Sequence, residues 1–346
     1  MASDVMATAV AGLGSWLVQS SVALTLSAAA AALWCACVPN SRASVRHAVW
    51  FAALVTAVVA CAIAHVRTTL LGTALDAHGA AATLPVITTP LIGGWILGAV
   101  VLLGRIAGQH LAIRRWADGL IPAGRVRSDE LDVRTTQARR SRTLLLLRGE
   151  PGAMPVCWGI LRPRIMLPAD AVGWPDEMRD IVLRHELAHV HRRDALSDVV
   201  VRIAVALLWF HPAAWLVAAR IHVERERACD ERVVGSGVDV VRYAEHLIVL
   251  ARSLRPAPYA AAVARQGTLE ERVASLLAAD GHQHALGHRL AVVLAVVAVV
   301  APAVLLTPAV RRPIVGTDSL AEAPASTQLP GSHPGSFRAT LVGGTR

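Results

Sequence analysis

From Val5 to Ser41 the chain carries no charged side chain. About 20 apolar residues make one helical crossing of a bilayer, so this run has length to spare. The pattern places a spanning helix near residues 12–37. A second candidate lies between Arg46 and Arg67, and a third runs from about Leu84 to Gly104. A fourth, Leu290 to Val310, is uncharged between Arg289 and Arg311. The hydrophobic set makes up 54% of the 346 residues and charged residues only 17%, and the mean hydropathy is +0.49. That is too apolar for a water-soluble domain of this size. The expected fold is mainly α, a polytopic membrane protein with four transmembrane helices and the lipid bilayer as a partner.

The net charge is +9, and every one of the 34 basic residues is arginine. In a membrane protein such residues mark cytoplasmic loops, and no direct nucleic-acid binding is expected. Arg42 and Arg46 lie in the short first loop; Arg105, Arg114, Arg115, Arg125 and Arg127 follow the third helix. The loop between the second and third helices holds Arg67 against Asp76. The expected organisation is therefore three transmembrane helices in 1–113, a cytoplasmic domain in 114–289, a fourth crossing in 290–310, and a short disordered extracytoplasmic tail in 311–346. The five cysteines are odd in number and include no C-x-x-C pair, so neither a disulfide framework nor a cysteine zinc knot is indicated.

Within 114–289 the Arg-rich stretch 114–142 is expected near anionic headgroups. Thr143–Arg148 and Arg164–Leu167 read as short strands, the second able to offer an edge to an extended substrate. A helix opens at Pro175-Asp176-Glu177, with acids facing the positive end of its dipole. It carries His185-Glu186-Leu187-Ala188-His189, an H-E-x-x-H motif. Four-residue spacing puts both imidazoles on one helical face, a turn apart, where they can share a metal. Glu186 is placed to take a proton from metal-activated water. His191, two residues past His189, falls on another face and is not expected to be a ligand. Asp194 reads as the N-cap of the following helix, with Ser197 and Asp198 in its first turn.

A catalytic zinc takes three protein ligands and keeps an open position. The third must come from elsewhere, and Glu224-Arg225-Glu226-Arg227-Ala228-Cys229-Asp230-Glu231 supplies the carboxylates. H-E-L-A-H, then His211-Pro212 with Trp215, then E-x-A-C-D-E together resemble the BlaR/MecR antirepressor metallopeptidases. The resemblance extends to Gly159…Pro163-Arg164-Ile165…Leu167-Pro168 and to Leu269-Glu270-Glu271-Arg272-Val273. It implies a gluzincin-like zinc metallopeptidase domain with a small β-sheet, zinc held by His185, His189 and Glu226, and Glu186 as the base. Glu224 is the runner-up ligand. The resemblance also aligns Asp230 with a carboxylate that orients a zinc-bound imidazole.

A shared site sets the topology of residues 203–219, an apolar stretch with His211-Pro212 at its middle. Were it to cross the membrane, Glu226 and the histidines would lie on opposite sides. It must therefore dip in and return, breaking at the proline.

The implied activity is peptide-bond hydrolysis in signal transduction, the partner a winged-helix transcriptional repressor; self-cleavage, if it occurs, is expected in the Arg252–Gly267 loop. The family's best-known members carry a penicillin-binding sensor after the last helix. Residues 311–346 are too few for one and hold no S-x-x-K motif, so β-lactam acylation of this polypeptide is not expected. A quality-control protease, or a receptor with a structural zinc, are the other readings; the intact Glu186 counts against the second. Tyr243, His246, His222 and Arg225 are candidates for stabilising an oxyanion that the sequence cannot separate. Cys229 reads as packed, and His282, His284 and His288 as surface histidines.

Overall fold

The computed structural model describes residues 2–39, 41–70, 84–127, 143–253 and 267–278. Three long helices come first: α1 (Ala2–Cys37), α2 (Ala43–Leu70) and α3 (Leu84–Asp118). Among the described residues, Leu17–Cys37 and Pro90–Asp118 are long and apolar enough to cross a membrane, and Ala43–Val59 is a shorter apolar stretch. The expected fourth span, the tail, the three late histidines and most of the Arg252–Gly267 loop lie outside the described residues.

Small side chains let α1 and α2 approach closely. Ser20, Ala23, Ser27 and Ala31 of α1 are buried, as are Ala53 and Ala57 of α2. Ser27 Oγ donates across the pair to Ala53 O at 3.0 Å. A hairpin of α5 (Asp194–Leu207) and α6 (Pro212–Gly235) packs into this bundle. Leu208, Val201, Ala214 and Val217 share one core with Leu24, Leu54 and Ala57. The break between the helices follows from Pro212 at the start of α6 and from His211, whose ring accepts from Ala213 N as the N-cap.

The hairpin tip is pinned on two sides. His211 Nε2 lies 3.3 Å from Thr25 Oγ1 of α1. Trp95 Nε1 of α3 donates to Leu207 O at 2.8 Å, and Trp209 Nε1 returns a bond to Trp95 O at 3.2 Å. Gly98 makes room for this: a Cβ there would lie 2.4 Å from the Trp209 ring. With 14 residues, α5 is about 21 Å long, short of the roughly 30 Å hydrocarbon core. The chain reverses between α5 and α6, so residues before α5 and late in α6 meet at one end.

Four strands form a mixed sheet of order β1-β2-β4-β3, from β1 (Ile121–Arg127), β2 (Thr143–Arg148), β3 (Val156–Trp158) and β4 (Arg164–Leu167). Two departures from the sequence reading follow. Residues 114–127 are not merely a basic surface stretch, since α3 continues to Asp118 and β1 then pairs antiparallel with β2. The Arg164–Leu167 strand is not an edge. It runs parallel to β2 on one side and antiparallel to β3 on the other, and Ile165, Met166 and Leu167 are buried. The edge strands are β1 and β3. Gly159, at φ +98°, makes the turn between β3 and β4.

Against this sheet packs α4 (Asp176–Arg192), through Val182 and Leu187 on Leu144, Ile165 and Leu167. Its other side meets α6, α7 (Val240–Ser253) and α8 (Gly267–Leu277): Ile181 shares a core with Val233, Tyr243, Leu247 and Leu276.

Candidate metal centre

The helical spacing of α4 brings His185 and His189 side by side, with Nε2 atoms 3.2 Å apart. The hairpin returns α6 over them, and Glu226 Oε2 sits 3.7 Å from His185 Nε2 and 3.8 Å from His189 Nε2. A tetrahedral zinc with bonds of about 2.0–2.1 Å has donor–donor edges of roughly 3.3 Å, so the triangle is close to the required size.

The opposite ring atoms are occupied. His189 Nδ1 lies 2.8 Å from Asp194 Oδ2. His185 Nδ1 lies 3.0 Å from Tyr243 Oη and 3.3 Å from Asp230 Oδ1, while the Tyr243 hydroxyl donates to Asp230 Oδ1 at 2.6 Å. This network assigns the proton of each neutral ring to Nδ1 and turns the Nε2 lone pair toward Glu226. Two imidazole lone pairs and a carboxylate so close repel one another unless a cation sits among them. Without a metal, a proton on His185 relieves the same repulsion. Burial disfavours a charged His185, yet its hydrogen bonds to Asp230 and Glu226 outweigh this and push its pKa up to about 9. Burial likewise opposes ionisation of Glu226, but His189, His185, Arg225 and Arg272 hold its carboxyl well below the usual range. The donor set therefore suits a divalent cation such as zinc.

Asp194 departs from its expected role. It is the first residue of α5, and the N-cap is Arg193 in left-handed conformation (φ 58°, ψ 38°). That sharp link folds Asp194 back beneath His189, where it is 4% exposed. Burial opposes its charge, but the hydrogen bond from His189 and the Arg192 charge keep its carboxyl below the ordinary value. The signal was an acid five residues past the second histidine, where the helix ends.

The remaining candidates sort by contact. Asp230 is 1% exposed behind His185. Glu224 faces α2, bonded to Arg46 Nε at 2.8 Å and to Arg227 at 3.2 Å, away from the triangle. Arg225 donates to Glu226 Oε1 at 3.3 Å and pairs with Asp198 at 3.3 Å; His222 lies 3.9 Å from Asp198, and His246 lies 4.0 Å from Glu177. Tyr243 is fully buried, its hydroxyl committed to Asp230 and His185. Glu186 is 7% exposed on the sheet side of α4. Burial, and then the charge of Glu186, push the Cys157 thiol of β3 well up, which sets the open strand beside that carboxylate. Sequence reading placed Arg272 within a matching segment but gave it no role; its Nε and Nη2 grip Asp230 at 2.8 and 2.6 Å.

His189, Asp194 and Cys229 form a second group of close donor atoms. Burial and the Asp194 and Glu226 charges push the Cys229 thiol well up, and the thiol donates to Asp194 Oδ2 at 3.6 Å. Cys229 is 0% exposed, and its neighbours His189 and Asp194 already bond each other at 2.8 Å. Cys229 is packed.

Known proteins resemble this chain. Over 141 residues the chain is 28% identical to the regulatory protein BlaR1 of Bacillus licheniformis, covering 40% of this chain and 24% of that protein. Over 97 residues it is 25% identical to the methicillin resistance mecR1 proteins of Staphylococcus aureus and Staphylococcus epidermidis, covering 27% of this chain and 17% of each. The chain thus spans about a quarter or less of the length of the curated relatives it matches. The BlaR1 peptidase M56 family matches over residues 15–276, a stretch running from α1 into α8 that holds every side chain of the centre, and the chain belongs to that family.

Proposed function

We propose that the chain is a membrane-embedded zinc endopeptidase that relays a signal by cutting a cytoplasmic transcriptional repressor of the winged-helix type. The observation that carries the peptidase reading is the convergence of His185, His189 and Glu226 at the helix that carries Glu186, with each imidazole backed by a buried carboxylate. The two membrane-length helices support the location, and the regulatory and resistance names of the relatives support the signalling role.

Zinc bound there would polarise the peptide carbonyl and lower the pKa of water towards neutrality. The residues do the rest. His185, His189 and Glu226 would hold the ion, and Asp194 and Asp230 keep the rings from turning. Glu186, which is not a ligand, takes the proton of the attacking water and delivers it to the leaving amine. An extended substrate segment would add to the open edge of β3, the strand beside Glu186, so that backbone hydrogen bonds fix the scissile carbonyl.

The test is Glu186→Ala in the full chain, co-expressed with the repressor. Zinc content should remain near one per chain while repressor fragments disappear. Unchanged fragments would remove the enzyme reading.

A further inference from the structure

Arg272 stands on α8, far along the chain from the H-E-x-x-H helix, yet it touches two carboxylates of the centre. Its Nε donates to Asp230 Oδ2 at 2.8 Å and its Nη2 to Asp230 Oδ1 at 2.6 Å. Its third nitrogen, Nη1, lies 3.7 Å from Glu226 Oε2, the oxygen that faces both imidazoles. The guanidinium is itself nearly enclosed, its side chain 12% exposed.

Glu226 and Asp230 are four residues apart on α6, where like charges repel. Asp230 is 1% exposed, so a bare negative charge there would be strongly disfavoured. A single guanidinium answers both problems. Its planar fork grips Asp230 with two parallel bonds and leaves the third nitrogen for Glu226. Asp230 then keeps its charge and its orientation, so Oδ1 stays available to His185 Nδ1 at 3.3 Å and to the Tyr243 hydroxyl. An ammonium has the charge but not the fork.

Resting on the zinc reading above, we propose that Arg272 is a positioning residue for the metal centre, fixing Asp230 and Glu226 so that His185 presents Nε2 to the ion. It acts through these carboxylates. The neighbouring α8 residue Glu271 provides an internal control. It reaches Arg227 at 3.6 Å and is half exposed, so it contributes little to the site.

The experiment uses the full chain in detergent, stripped of metal. Zinc affinity is measured by competition with a chromophoric chelator, and the visible absorption of the cobalt(II) form reports ligand geometry. Wild type, Arg272→Lys, Arg272→Gln and Glu271→Gln are compared. Both Arg272 variants should bind zinc about 10–100-fold more weakly, the usual cost of losing a partner behind a ligand. Their cobalt bands should shift, and Glu271→Gln should stay within about twofold of wild type. Full rescue by Arg272→Lys would reduce the role to bulk charge and overturn the proposal. Wild-type affinity in both Arg272 variants, or an equal loss in Glu271→Gln, would overturn it too. The metal-free Arg272→Lys protein should melt close to wild type; global unfolding would make Arg272 a folding determinant instead. A wild-type chain that takes up no zinc would sink the metal reading itself, a result separable from all of these.

Discussion

Asp194→Asn separates a partner of the metal centre from a helix cap. Asp194 Oδ2 accepts from His189 Nδ1 at 2.8 Å in a buried setting. The bond is charge-assisted, worth about 1.5–3 kcal/mol, against about 0.5–1.5 for its neutral counterpart. Asparagine keeps the shape and can still offer its carbonyl oxygen to the ring. The difference, about 1–2 kcal/mol, corresponds to a loss of roughly 5- to 30-fold in zinc affinity if it falls on the orientation and basicity of His189. Competition with a chromophoric chelator on the metal-free chain reads this directly. A capping role predicts the opposite pattern, because asparagine caps as well as aspartate. Both zinc affinity and melting temperature would then be unchanged, and wild-type zinc affinity in Asp194→Asn would refute the argument.

Other expectations follow from the same contacts. Glu226→Ala should abolish stoichiometric zinc. Glu224→Ala should retain it yet destabilise the fold by about 3–5 kcal/mol, because Arg46 loses its buried partner; zinc loss in Glu224→Ala with retention in Glu226→Ala would reverse the ligand assignment. Gly98→Ala should force Trp209 off its site and cost about 1–3 kcal/mol in thermal or denaturant unfolding, with an unchanged melt arguing against the pinned hairpin tip. In metal-free protein His185 has a folded pKa of about 9, above its ordinary 6.5. Its stabilisation is therefore fully present below about pH 6.5 and is lost as pH rises through about 9. Melting temperature should fall across that window in wild type and be flatter in His185→Gln.

The H-E-x-x-H pattern was legible because one short helix carries its own geometry: 3.6 residues per turn places His185 against His189 whatever the tertiary context. The break at His211-Pro212 was legible for a similar reason, since proline ends a helix locally. Asp194 was not, because its role depends on Arg193 adopting a left-handed conformation that sequence gives little reason to expect of an arginine. Strand order was hidden as well. The apolar run Arg164–Leu167 announces a strand, but its place between β2 and β3 is set by long-range pairing. Arg272 stood in a segment that carries the resemblance, but nothing in the sequence assigned it a role. Its burial against Asp230 comes from α8 packing on α6, which no local pattern encodes.

X-ray absorption at the zinc edge of the full chain in detergent tests the central claim most directly. Two imidazole nitrogens and carboxylate or water oxygens at about 2.0–2.2 Å, with no sulfur, are the predicted neighbours of the ion. A sulfur neighbour at about 2.3 Å would put the metal on Cys229 and contradict the His185–His189–Glu226 centre.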